Sequence, residues 1–142
     1  MEQKISEVPY LVDTNIFVEF LLEQDRAEES LRIMERIEQG ELKAYITSFA
    51  LHSIAVILDR RKELDLMEKF LERVIQAKGL QVYQTEPIEE KAITALMRTV
   101  RLDFDDTLHY FVATKLVATL ISFDRGFDKT DLKRIEPQML LN

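Results

Sequence analysis

The stretch "YLVDTN", residues 10–15, decides how the chain is read, because a short apolar run stops abruptly at Asp13. Such a run reads as a buried strand, and its end is where a strand leaves the core. An acid at that point either caps the following helix or stands at the mouth of a site.

Working outward, the sequence alternates between two periods. "PYLVDT" is a strand; a helix runs from Asn15 to about Glu23, and an amphipathic one follows over residues 25–39. Leu31, Met34, Ile37 and Ala27 form the apolar face of the latter, and Gly40 is its stop signal. "ELKAYITS" supplies the second strand and "FALHSIAVILDRR" a largely buried helix; residues 63–78 form another, ended by Gly79. "LQVYQ" is the third strand. Thr85 or Glu86 opens the next helix, with Pro87 in the first turn, where a missing N–H costs nothing. "DFDDTLHYFVATKLVA" begins acidic and turns apolar, "TLIS" is the fourth strand, and "LKRIEP" supplies an edge strand. Strands separated by helices predict a three-layer α/β/α sandwich on a mostly parallel sheet, formed by one domain over residues 1–142.

Composition narrows the chemistry. Cysteine is absent, which excludes disulfides, thiolate metal sites and cysteine nucleophiles. A net charge of −7 argues against a generic phosphate-backbone binder, although it allows contact with nucleic acid through bound cations and a local basic rim. No apolar run approaches the roughly 20 residues that span a bilayer. "MEQKISEVPY" carries acids and has no apolar core, so it does not read as a signal peptide, and a cytoplasmic protein without membrane association is expected.

In open parallel sheets, ligands bind beyond the carboxyl ends of the strands. Asp13 follows the first strand, Asp124 lies two residues after "TLIS", and Asp106 sits in the first turn of the long apolar helix. Carboxylates gathered there without Lys or Arg repel one another and call for a cation. Oxygen ligands alone suit Mg²⁺ or Mn²⁺, and the chemistry they support is metal-assisted attack of water on a phosphodiester. Each acid also has a plain structural role: Asp13 as an N-cap, Asp103 and Asp106 as a helix-start arrangement, Asp124 as a turn residue before Gly126.

With these stretches in view, the sequence resembles a PIN domain, the nuclease fold of VapC-type toxins and related RNA-processing enzymes, from about residue 9 to residue 137. "LVDTNIF" is similar to the first PIN motif, with Asp13 as metal ligand and Thr14 and Asn15 as its supporting polar residues. "FDDTLHYFVA" resembles the family's D-A-L-H-x-x-x-A pattern, which places an acid at Asp106. "LISFDRGF" resembles T/S-x-D-x-x-F, giving Ser122, Asp124 and Phe127. The resemblance implies an endoribonuclease acting on single-stranded or loop RNA, with Asp13, Asp106 and Asp124 as catalytic metal ligands. Asn15 and Ser122 would orient those ligands or the attacking water. By the toxin analogy, it also implies a homodimer and a small antitoxin that covers the acidic groove.

The chain departs from the pattern at one acid. The family carries a Glu on the helix after the second strand, and "ITSFALHSIAVIL" places Ser53 there, with His52 beside it. A hydroxyl does not replace a carboxylate, so one metal position should be weakened, and a degenerate PIN domain that binds RNA or protein is the competing reading. Asp105 is expected to point away if Asp106 points in; His52 could in principle bind Mn²⁺, but a packed or hydrogen-bonded residue is the expectation. His109, one turn after Asp106, could line the site or pack in the core. Arg125 and Lys129 are the nearest bases to the fourth motif and could contact substrate phosphate, or simply belong to a solvated loop. A haloacid-dehalogenase-type phosphatase would need a second acid where Asn15 stands. A receiver domain would need an acidic pair and a late Lys, neither of which is evident.

Overall fold

The computed structural model describes residues 8–141. The leader reading falls mostly on residues 1–7, which lie outside the described residues, as does residue 142 of the apolar tail. No described helix is long and apolar enough to cross a membrane.

Five strands form one parallel sheet: β1 (Tyr10–Val12), β2 (Ala44–Thr47), β3 (Leu80–Tyr83), β4 (Thr119–Ile121) and β5 (Arg134–Ile135). Six helices connect the first four: α1 (Thr14–Leu21), α2 (Ala27–Glu38), α3 (Ser48–Arg60), α4 (Leu64–Gln76), α5 (Pro87–Val100) and α6 (Phe104–Leu116). The strand order is β3-β2-β1-β4-β5. The chain winds outward from β1 to β3, then returns to place β4 on the other side of β1. Tyr10, Leu11 and Val12 therefore pair with Thr119, Leu120 and Ile121. The order reverses between β1 and β4, which opens a crevice at their carboxyl ends.

The period of two in the strands builds two cores. Val12, Ile46 and Ile121 face α1 to α4, joining Ile16, Phe17, Ile33, Met34, Ile54 and Phe70. Leu11 and Leu120 point the other way, onto Ile93 of α5 and onto Leu108 and Val112 of α6. This is the three-layer α/β/α architecture, with a sheet that is parallel throughout.

Two local expectations are corrected, and one open choice is settled. The α2 face is formed by Ser30, Ile33, Met34 and Ile37, while Leu31 and Ala27 are only half-buried, because Ile33 falls nearer the centre of the buried stripe. Helix α4 ends at Gln76, and its cap, Ala77, is already extended. Gly79 serves close packing instead: a Cβ there would lie 2.1 Å from the Leu42 carbonyl oxygen. Gly40 does stop α2, at φ +83°. Glu86, rather than Thr85, caps α5 in a reciprocal box with Glu89. Of the tail, Leu140 and Leu141 pack on the first core, while Met139 stays exposed.

Candidate metal centre

Asp13 ends β1 and caps α1. Its Oδ1 accepts from the Thr14 N–H at 2.8 Å, and its Oδ2 accepts from the Ser122 hydroxyl at 2.7 Å. Asn15 Nδ2 reaches both Asp13 Oδ2, at 3.4 Å, and Ser122 Oγ, at 3.2 Å. Ser122 lies just past β4 and is fully buried; its hydroxyl also accepts from the Asp124 N–H at 2.9 Å. Two strand ends are thus tied together through one hydroxyl. Burial of Asp13, at 4% exposure, raises its pKa, and the charge of His109 and the Ser122 hydrogen bond work against that rise.

The loop carrying Asp124 is held from behind. Arg134 Nη1 donates to the Ser122 carbonyl at 2.9 Å and to Glu136 at 2.8 Å. Its other guanidinium nitrogens bind both oxygens of Asp128. Phe127 anchors the 3-10 turn Arg125–Lys129 in the second core. Asp124 Oδ1 caps this turn at the Gly126 N–H, 2.8 Å away.

The start of α6 supplies the remaining acids. Asp103 is the cap, accepting from the Asp106 N–H at 2.9 Å. Asp13, Asp103, Asp105, Asp106 and Asp124 line one pocket of about 370 Å³ with Thr14, Asn15 and Val18. No Lys or Arg lines it. Desolvation, then the charges of Asp103, Asp124, Asp13 and Asp105, push the Asp106 carboxyl up to about 7. Another hollow, of about 400 Å³ at the start of α2, offers no comparable chemistry, because its Arg26 is already paired with Glu29 and Glu136.

Asp105 does not point away: it lines the pocket together with Asp106. Neighbouring helical residues are separated by about 100°, so both can flank a concave site. His109 follows Asp105 by one turn and is fully buried. Its Nδ1 lies 2.9 Å from the Asp105 carbonyl oxygen, 3.0 Å from Asp105 Oδ1 and 3.9 Å from Asp13 Oδ1. Nδ1 meets acceptors only and so carries a proton. Nε2 meets the Thr47 hydroxyl at 3.1 Å, the same oxygen that caps α3 through the Ala50 N–H. Burial lowers the His109 pKa, but the Asp105 carboxylate beside it and the charge of Asp13 outweigh it, and the net direction is upward.

The ligand-type atoms of Asp13, Asp105 and His109 lie within 4.8 Å of one another, a closer grouping than Asp13, Asp106 and Asp124 make. Ser53 is half-buried and outside the pocket lining; His52 is exposed rather than packed, since α3 turns that face to solvent. Arg125 and Lys129 are also exposed and outside the lining; Lys129 Nζ donates to the Arg101 carbonyl at 3.0 Å. The Asp105 and His109 positions were visible in "DDTLH", yet nothing in that pattern signals the Thr47 contact.

A divalent cation suits this donor set. The pocket carries five carboxylates with no internal Lys or Arg, and two buried oxygens, Asp105 Oδ1 and Thr14 Oγ1, lack a hydrogen-bond partner. Hard oxygen donors of this kind suit a hard divalent cation.

Comparison with solved structures finds the same fold in VapC20 of Mycobacterium tuberculosis, a sarcin-ricin loop cleaving toxin. It shares 16% identity at TM-score 0.73, covering 90% of this chain and 99% of that one. A toxin-antitoxin complex from Klebsiella pneumoniae matches at 16% identity and TM-score 0.66, over 90% of this chain and 97% of that one. FitAcB from Neisseria gonorrhoeae matches at 16% and 0.67, over 91% and 98%. No curated protein matches the sequence. The PIN domain family model matches residues 10–133, which takes in β1 to β4, all six helices and every acid of the pocket, and the chain belongs to the PIN domain family.

Proposed function

We propose that the chain is a metal-dependent endoribonuclease cleaving single-stranded or loop RNA. The observation that carries this reading is the pocket of five carboxylates, free of basic residues, at the β1–β4 crevice of a PIN domain. A divalent cation held there lowers the pKa of water and offsets charge developing at phosphorus.

The chain's own residues prepare that site. Asp13, Asp106 and Asp124 hold the cation and supply catalysis. Ser122 and Asn15 fix the orientation of Asp13, and the Ser122 hydroxyl spaces Asp124 from it through the Asp124 N–H. With its carboxyl pushed up to about 7, Asp106 is partly protonated near neutral pH, and the charge of a bound cation would favour loss of that proton. Arg125 and Lys129, on the turn beside Asp124, supply positive charge for flanking phosphates.

The toxin-antitoxin neighbours support a toxin whose acidic groove is covered by a small antitoxin protein. A homodimer and a cytoplasmic location complete the proposal. Ser53 favours the second reading, a domain that retained the scaffold but binds RNA or protein without cleaving it.

The test is cleavage of a mixed single-stranded RNA with Mn²⁺ by wild type, Asp106→Asn and Ser53→Glu. Cleavage by wild type that disappears in Asp106→Asn is expected. An inert wild type beside an active Ser53→Glu variant would select the binding module.

A further inference from the structure

We propose that Asp105 takes the place of the acid absent from α3 and binds the divalent cation together with Asp13. The inference rests on the metal-site reading above and concerns which residues of this chain complete that site.

The backbone claims an oxygen of Asp13, Asp103 and Asp124 but none of Asp105 or Asp106. Asp103 Oδ1 caps α6 and Asp124 Oδ1 caps Gly126, so each spends an oxygen on the chain. Asp105 caps nothing. Its Oδ1 is buried and accepts no hydrogen bond, although His109 Nδ1 lies 3.0 Å away, because that N–H is aligned with the Asp105 carbonyl instead. A buried carboxylate oxygen whose nearest N–H is turned to another acceptor keeps part of its desolvation cost, which a cation offsets.

Its position matches the vacant role. Among the described residues, no α3 side chain lines the pocket. Asp105 contacts His109, which reaches Thr47 at the α3 cap, so this chain of contacts links the start of α6 to the start of α3. The carboxylates of Asp13 and Asp105 present oxygens within 4.8 Å of each other. Bonds of about 2.1 Å to Mg²⁺ or Mn²⁺ bring opposing ligands to about 4 Å, so a small side-chain adjustment closes the shell. His109 is not itself a ligand through Nδ1, since that nitrogen faces acceptors and carries hydrogen. It positions Asp105.

The experiment measures Mn²⁺ binding to the full-length chain by calorimetry and by the electron paramagnetic resonance of free Mn²⁺. Wild type is compared with Asp105→Asn, Asp105→Ser and the double variant Asp105→Asn/Ser53→Glu, with melting in EDTA as the folding control. Removing Asp105 should weaken binding at least about tenfold in protein that still melts cooperatively without metal. Adding Ser53→Glu should recover part of the affinity. Wild-type affinity in both Asp105 variants overturns the assignment, as does a wild type that binds no Mn²⁺. RNA cleavage on the same samples separates the two readings. Cleavage with unchanged Mn²⁺ binding in Asp105→Asn overturns this assignment and leaves the nuclease standing. Mn²⁺ binding that depends on Asp105, with no cleavage by wild type, supports this assignment and removes the nuclease.

Discussion

The Ser122 hydroxyl donates to Asp13 Oδ2 at 2.7 Å, joining residues 109 apart in sequence across the β1–β4 crevice. That hydroxyl also accepts from the Asp124 N–H and from Asn15, so one buried atom sets the spacing of two acids. Parallel pairing of β1 with β4 makes this contact available, and the reversal of strand order opens the crevice there.

Ser122→Ala should therefore lower stability by about 1–3 kcal/mol, because it orphans the Asp124 N–H and removes the donor to Asp13. Urea unfolding in EDTA measures the loss. Mn²⁺ affinity should fall as well, and an unchanged affinity would separate the hydroxyl from the cation site.

The pH dependence of the metal-free protein follows from the raised groups. Asp106 is pushed up to about 7, and Asp13 and His109 are also raised. Raised groups bind more protons folded than unfolded, so their contribution is complete below the unfolded pKa values and is lost as pH rises through the folded ones. In EDTA, the melting temperature should fall from about pH 5 to about pH 8. Asp106→Asn should flatten that slope without lowering metal-free stability at neutral pH. An Asp106→Asn protein with the wild-type slope would remove Asp106 as its source.

Adding Mn²⁺ at neutral pH should raise the melting temperature, because the cation binds only the folded cluster. Asp106→Asn should reduce the rise. Thermal melts across a Mn²⁺ titration decide it, and an equal response in both proteins would exclude Asp106 from the site.

Thr47→Val should cost about 1–3 kcal/mol, because it removes the α3 cap and leaves His109 Nε2 buried without a partner. Unfolding midpoints report the cost. Rescue by Thr47→Ser would assign it to the hydroxyl rather than to packing.

Arg134→Lys should cost about 2 kcal/mol, although charge is retained. The guanidinium side chain, 10% exposed, binds both oxygens of Asp128, Glu136 and the Ser122 carbonyl at once, and an ammonium does not reproduce that fork. Faster amide hydrogen exchange over residues 122–128 would be the local signature. A Lys variant with wild-type stability and exchange would show that the fork is dispensable.

The sequence by itself determined the layers. Alternating apolar strands, period-3.6 helices and the signals at Gly40, Pro87 and Asp103 report local preferences, and short parallel strands with helical connections leave few packings. It also determined that Asp13, Asp106 and Asp124 stand near strand or helix ends. Tertiary structure alone decided which acids share the pocket. Asp105 and Asp106 are neighbours on one turn, and only the concave approach of α6 to β1 lets both face the pocket. His109 could have been core or site, and its burial between Asp105 and Thr47 depends on contacts 62 residues apart. Periodicity shows which face of a helix is buried; it does not show which distant side chains close around that face, because their directions are fixed by packing between elements rather than within them.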